Sequence, residues 1–385
     1  MAASGTLHGE SRLGVLDGLR GLAVLLVLWY HVWEFSFLSP VAWLAFLPAT
    51  GFVGVTLFFF LSGFVISYPF VRARAAGAPR PSWANFAWRR FMKIVPSYVL
   101  SIGVAYAIGY AQTAPSAAPL PDLLTHALFI HTWFPDRFGS INGVLWTLAV
   151  EVEFYCVFPL IWWAFARRPF LTAGAMVLVA WAWRAAIAHC CYSTLFPTYE
   201  ENLPGYLDIF AFGMISAHLF VVVGPRWKTG RRRNVAAVVA LAGFALLWML
   251  LENVFDYRFA DQWAGVWQIN GRPLFGVAFA MIALGSLCAP AWWQGVLDNS
   301  PLRFLAAISY NLYLYHQMIA REMIWHHVPP YHGDPHYDAQ WQVRYNELAF
   351  VVIVALATVV TYCFERPLLR IRGPRGTRDR IRAQT

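Results

Sequence analysis

Two ionisable side chains, Arg20 and His31, lie eleven residues apart inside the apolar stretch LDGLRGLAVLLVLWYHVW, Leu16 to Trp33. In a helix that spacing is three turns plus about 20°, so both share one face, roughly 16 Å apart along the axis. They cannot pair with each other; they mark two depths of one stripe. An ionisable group at membrane depth costs a few kcal/mol and is a functional candidate by default. The others of this kind are Asp17, Glu151, Glu153, Arg184, Asp208 and His316. Arg184 and Asp208 are read as polar groups satisfied by neighbouring helices. A histidine oriented by a carboxylate suits general-base work on a hydroxyl, because the carboxylate fixes the tautomer and stabilises the imidazolium. Glu151, in LWTLAVEVEFY, is expected to orient His31, with His316, in ISYNLYLYHQM, as second choice. In WRRFMKIVP, Arg90 and Lys93 are three apart, share a helical face and are placed, with Arg20, to hold phosphate.

Positioning such residues requires elements that tolerate lipid. Of 385 residues, 59% are hydrophobic and 13% charged, and the apolar ones cluster in blocks of about twenty, the length that crosses a roughly 30 Å hydrocarbon core. The expectation is an all-α integral membrane protein, a bundle of about ten transmembrane helices. The spans are read at 13-34, 51-70, 92-111, 143-165, 170-189, 206-223, 234-252, 273-289, 301-323 and 346-364. Lys and Arg accumulate in cytoplasmic loops. With a cytoplasmic N-terminus, only Arg137, Arg258, Arg272, Arg321 and Arg344 fall outside, Arg20 and Arg184 lie within spans, and every other Lys or Arg is inside. Both termini are therefore expected to be cytoplasmic, in an integral multi-pass protein of the plasma membrane. Residues 1-370 are read as one transmembrane domain and 371-385 as a basic cytoplasmic tail lying against anionic lipid. Arg12 before an apolar run resembles a signal peptide, but no small-residue cleavage site follows, so 13-34 is expected to stay as the first span.

A net charge of +9 raises the question of nucleic acid, yet the basic residues come in short runs between apolar blocks with no binding motif, so no nucleic-acid partner is expected. The cysteines Cys156, Cys190, Cys191, Cys288 and Cys363 form no CxxC, have no histidine at zinc spacing and are read as small core residues; no metal is expected. Gly51, Gly54 and Gly63 are read as helix-packing positions.

These stretches together resemble the membrane-bound acyltransferase family 3, the O-antigen acetylase-like proteins. The hallmark is the first-helix arginine and histidine, Arg20 and His31. GVTLFFFLSGFVIS, RRFMKIVPSY, LWTLAVEVEFY and ISYNLYLYH follow in order, and FERPL, Phe364 to Leu368, closes the series. The resemblance covers essentially the whole chain. It implies ten membrane helices and transfer of an acyl group, usually acetyl from acetyl-CoA, to a hydroxyl of a carbohydrate or another exported or secondary-metabolite acceptor. It also implies His31 as the catalytic histidine, Arg20 as a donor-binding or structural partner and Glu151 as the glutamate of the fourth-span motif. Two departures stand out: Glu153 falls where the family has glutamine, and Lys93 replaces an arginine, keeping charge without the planar fork.

The reading from residues and resemblance is an O-acyltransferase with acyl-CoA as donor substrate, its phosphates at Arg90, Lys93 and Arg20, and His31 as base. The rival is a transporter of a lipid-linked or acylated glycan without acyl-transfer chemistry, whose arginine and histidine would line a permeation path. The aromatic and histidine residues of the outer loops, Trp133, Trp263, Trp267, Trp325, His326, His327, Tyr331, His332 and His336, fit either sugar stacking or an ordinary membrane interface.

Overall fold

A computed structural model describes residues 13–38, 42–111, 119–191, 196–258 and 267–371. Arg12, Trp263 and the basic tail from residue 372 lie outside the described residues.

Ten helices of 17 residues or more occur among the described residues: α1 Gly14–Ser36, α2 Val53–Ala75, α3 Trp83–Ala107, α4 Trp146–Phe165, α5 Pro169–Cys191, α6 Leu203–Val222, α7 Arg232–Arg258, α8 Arg272–Cys288, α9 Ser300–Trp325 and α10 Ala339–Val360. No strand occurs among those residues, as the all-α expectation requires. Eight of the ten are long and apolar enough to cross a membrane. The other two, α3 and α9, have 25 and 26 residues, ample for a 30 Å span at 1.5 Å each. They hold the polar residues that matter below, so composition alone does not mark them as spans. α3 also starts nine residues before the expected 92, because Ser82 caps it by accepting from the Asn85 N–H. The basic run WRRFMK thus rides on the helix instead of preceding it.

α1 packs between α2 and α9, α2 lies against α6, and α10 covers the other side of α9. Close approach sets these distances. A Cβ on Gly21 would stand 2.5 Å from the Leu302 carbonyl oxygen of α9, and one on Gly54 would stand 2.4 Å from that of Ala23 on α1. The packing reading of the second-span glycines is what their surroundings display. Hydrogen bonds add register: Asn142 Nδ2 donates to the Leu314 carbonyl at 2.9 Å, and the Tyr310 hydroxyl donates to that of Ile94 at 2.8 Å. Cys288 is buried, whereas Cys156, Cys190 and Cys363 face outward and Cys190 is disulfide-bonded, so the core reading of the cysteines fails for those three.

Arg184 of α5 and Asp208 of α6 are both fully buried and meet at 2.7 Å, with the Arg184 guanidinium also donating to the Gly205 carbonyl at 2.5 Å. Each is expected to be satisfied by a neighbouring helix, and the structure shows that each is the other's partner. Arg272, expected in an outer loop, is instead buried at the start of α8, held by Gln268, the Glu200 carbonyl and Glu201. Its charge needs partners because helix ends here are inside the protein. Beside it, burial and the neighbouring Glu201 push the Glu200 carboxyl up to about 8. Between α3 and α4, His126 and His131 stack face to face at 3.8 Å, both fully buried. His126 contacts the Asp122 carboxylate at 3.1 Å, and Ser140 donates to the same carboxylate at 2.7 Å.

Arg184→Met should cost about 3–5 kcal/mol by stranding the Asp208 charge, while Arg184→Met with Asp208→Leu should recover most of it. The thermal midpoint in detergent measures both. Burial, and His126 behind it, push the His131 imidazole down to about 2 from an ordinary 6.5. The unfolded chain therefore takes up a proton that the folded one refuses. Stability from this residue is complete above the ordinary value and falls by about 1.4 kcal/mol for each pH unit below it, until the folded-state value is reached. Thermal unfolding between about pH 7.5 and about pH 5.5 should show this decline, and His131→Phe should lessen it.

Candidate active site

The expected site residues other than His316, which is fully buried, line two chambers inside the bundle. His31, near the end of α1, opens on a chamber of about 330 Å3 whose walls include Tyr30, Glu34, Trp146, Tyr206, Trp267, Arg272 and Gln317. Arg20, Arg90, Lys93 and Glu151 open on a second, of about 260 Å3, with Ser62, Tyr155, Ser309 and Tyr310. The two depths inferred from the Arg20–His31 spacing are thus two compartments. For brevity, the one at Arg20 is the inner chamber and the one at His31 the outer. The inner chamber shares Arg90 with a wide vestibule of about 790 Å3, lined by Asp17, Tyr68, Arg72 and Arg89.

His31 and His316 meet across the α1–α9 contact. His31 Nδ1 lies 3.0 Å from His316 Nε2 and 3.0 Å from the Val27 carbonyl oxygen, one turn earlier on its own helix. His316 Nδ1 lies 2.7 Å from the Tyr313 carbonyl oxygen. A carbonyl only accepts, so His316 carries its proton on Nδ1 and offers Nε2 as an acceptor. His31 then carries its proton on Nδ1, shared between His316 and Val27, and its Nε2 keeps a lone pair. This tautomer follows from the heavy-atom partners, since hydrogens are assigned from the network. The rings pack edge to face with centroids 4.6 Å apart. Glu34, one turn beyond His31, accepts from the Tyr30 hydroxyl at 2.5 Å and faces the same chamber.

Glu151 does not orient His31. It accepts from the hydroxyls of Ser62 and Tyr155 in the inner chamber. The sequence places Glu151 and His316 at comparable depth, but the helical phase of α4 turns the carboxylate toward α2 while α9 delivers the imidazole. His316, the second choice, is the residue in contact.

Lys93 is ion-paired with Glu365, which also accepts from Asn311 Nδ2 at 2.6 Å. Glu365 ends a π-helical turn, Thr361–Glu365, that follows α10; the wider turn re-aims its carboxylate from the helix surface into the bundle. The FERPL stretch signals this glutamate without naming its partner. Arg20 and Arg90 form no ion pair with a carboxylate among the described residues; Arg90 lies over the Tyr155 ring at 5.4 Å. Within the inner chamber they are the cations whose charge is not already matched. Glu153, on another face of α4, accepts from Trp133 Nε1 at 2.7 Å. Of the loop aromatics, Trp267 lines the outer chamber, and among its other ring walls Trp146, Tyr206 and Phe138 come from positions that sequence reasoning passed over. Trp146 and Tyr206 stack at 6.1 Å. Among the described residues no group of three or more His, Cys, Asp or Glu side chains could hold a metal ion.

Comparison with known proteins gives the family. A family model described as an acyltransferase domain matches residues 13–365. The chain is 24% identical over 336 residues to the peptidoglycan O-acetyltransferase OatA of Listeria monocytogenes, covering 82% of this chain and 50% of that protein. It is 25% identical over 348 residues to the putative peptidoglycan O-acetyltransferase YrhL of Bacillus subtilis, covering 81% and 50%. The chain thus spans about half the length of these two relatives. With the acyltransferase MdmB of Streptomyces mycarofaciens the identity is 26% over 396 residues, covering 94% of this chain and 93% of that one. No solved structure matches the chain. With the family model running from the first helix to Glu365, the chain belongs to the membrane-bound acyltransferase family 3.

Proposed function

We propose that this chain is an O-acyltransferase of the cytoplasmic membrane that moves an acyl group, acetyl first among candidates, from acyl-CoA to a hydroxyl. The acceptor is a carbohydrate or a related exported or secondary-metabolite compound. The observation that carries the reading is the division of labour between adjoining chambers, with unmatched cations in one and the His31–His316 pair in the other. Ten spans with both termini cytoplasmic put the vestibule and the inner chamber on the side where acyl-CoA is made. The acetyltransferase names of two relatives support acetyl as the group, and the peptidoglycan in those names supports a glycan acceptor.

Arg90 and Arg20 bind the phosphates of the donor, and Lys93, held by Glu365, adds a fixed charge that cannot swing away. The donor's arm carries its thioester toward the outer chamber, where the acceptor hydroxyl lies against His31. His31 Nε2 takes the hydroxyl proton as the oxygen bonds to the thioester carbonyl carbon. The C–S bond breaks, and the sulfur leaves with that proton as the CoA thiol. His316 Nε2 accepts from His31 Nδ1 throughout and keeps the ring aimed while it is positively charged, with the Glu34 carboxylate facing the same chamber. Trp146, Tyr206 and Trp267 offer the flat apolar faces on which sugar rings stack.

Release of free CoA by the purified protein, together with mass spectrometry of surface glycans and small metabolites with and without it, tests the assignment. His31→Ala should lower turnover by roughly 10²–10⁴-fold with the protein still inserted. Arg90→Ala should raise the KM for acyl-CoA about tenfold with turnover largely kept, as expected for one lost charge-assisted contact. If the intact protein moves a glycan but never cleaves a thioester, the transporter reading replaces this one.

A further inference from the structure

The two chambers share two lining residues, Val55 of α2 and Tyr313 of α9. Every other wall residue belongs to one side, Arg20, Arg90 and Lys93 to the inner chamber and His31 to the outer. These two side chains face both chambers and so form the partition between the proposed donor and acceptor sides. Both are buried, and neither is free to move aside. The Thr147 hydroxyl donates to the Tyr313 hydroxyl oxygen at 2.9 Å, and the Tyr313 hydroxyl reaches the Val144 carbonyl at 3.4 Å. The Tyr313 ring is further wedged edge-on against Phe58, with centroids 6.1 Å apart. Swinging it out would strand buried polar atoms. Val55 is β-branched and stiff at χ1, and it follows Gly54, whose backbone is pressed against that of Ala23. The partition between the chambers is consequently made, at these two residues, of groups of fixed position.

We infer that the acyl group passes between the chambers at Val55 and Tyr313, and that this opening sets which acyl group the protein transfers, admitting a short, uncharged acyl chain and rejecting longer or carboxylated ones. The inference rests on the proposed function above, in which the donor occupies the inner chamber. Size is read at the opening. Charge is read just before it, where the Glu151 carboxylate, held by Ser62 and Tyr155, faces the arriving group and repels a second carboxylate.

Inverted membrane vesicles that contain the full chain and their own acceptors provide the test. Free CoA is measured with acetyl-, propionyl-, butyryl-, hexanoyl- and succinyl-CoA, with His31→Ala vesicles as the blank. The intact protein should favour acetyl-CoA and release little CoA from hexanoyl- or succinyl-CoA. Val55→Ala should raise the butyryl-to-acetyl ratio of kcat/KM about tenfold or more, the scale on which a methylene is discriminated in an apolar pocket. Val55→Ile, which narrows the same opening, should lower the propionyl-to-acetyl ratio and keeps the inference testable if the alanine variant does not fold. Glu151→Gln should raise succinyl-CoA use relative to acetyl-CoA. Ratios unchanged in both Val55 variants, or an intact protein indifferent to chain length, would overturn the filter while leaving the transferase standing. No CoA release from any donor by the intact protein would overturn both readings.

Discussion

Charge cannot be left uncompensated in a hydrocarbon slab, and that constraint shapes this protein more than any single contact. Several of the ionisable side chains that the apolar helices carry are turned inward and given a role or a partner. Arg184 and Asp208 neutralise each other, Lys93 is matched by Glu365, and Glu151 is held by two hydroxyls. Once these are turned inward, the bundle is lined with polar walls, and those walls enclose the two chambers. The exceptions are informative: Arg20 and Arg90 bring positive charge to the inner chamber and are in no ion pair among the described residues. A site built to receive an anion has this form, because the missing countercharge arrives with the ligand.

The second dependence is on distance between helices. His31 and His316 belong to helices far apart in sequence, and their ring nitrogens meet at 3.0 Å because α1 and α9 approach closely along Gly21. α2 is drawn onto α1 through Gly54, which places Val55 opposite Tyr313. Three helices, α1, α2 and α9, thus hold the proposed base, its orienting imidazole and the opening between chambers. Small residues at their contacts matter as much as the polar ones. The polar helix α9 occupies the middle of this arrangement. It is shielded by α1 and α10, which explains how Asn311, Tyr313 and His316 can follow one another on one span.

Much of this was legible in the sequence, and what was not has physical reasons. The eleven-residue spacing of Arg20 and His31 shows one helix face at two depths, because α-helical geometry is local. The satisfaction of Arg184 and Asp208 by neighbouring helices follows from the cost of leaving either alone. Partner choice across helices is different, since it depends on the rotation of each helix about its axis. Glu151 and His316 are equally plausible partners of His31 by depth, and only the packed structure shows the imidazole in contact. Arg272 reads as a loop charge because its carboxylate and amide partners are supplied by Glu201 and Gln268 only once the chain folds. The role of Glu365 is hidden for a similar reason, as a π-helical turn changes which way a side chain points without leaving a mark in apolar periodicity. The aromatic lining of the outer chamber escapes notice because Trp146 and Tyr206 are two among many rings in a membrane protein.

Taken together, these features describe a path with a donor end and an acceptor end, so the most direct measurement is one of sidedness. Radiolabelled acetyl-CoA is supplied to sealed inverted vesicles that expose the cytoplasmic face, and ester label is then challenged with a membrane-impermeant esterase. Transfer along the path through the opening at Val55 and Tyr313 predicts label that resists the esterase until the vesicles are permeabilised, and no such label with His31→Ala. Label that is removed without permeabilisation would place donor and acceptor on one face and contradict the account.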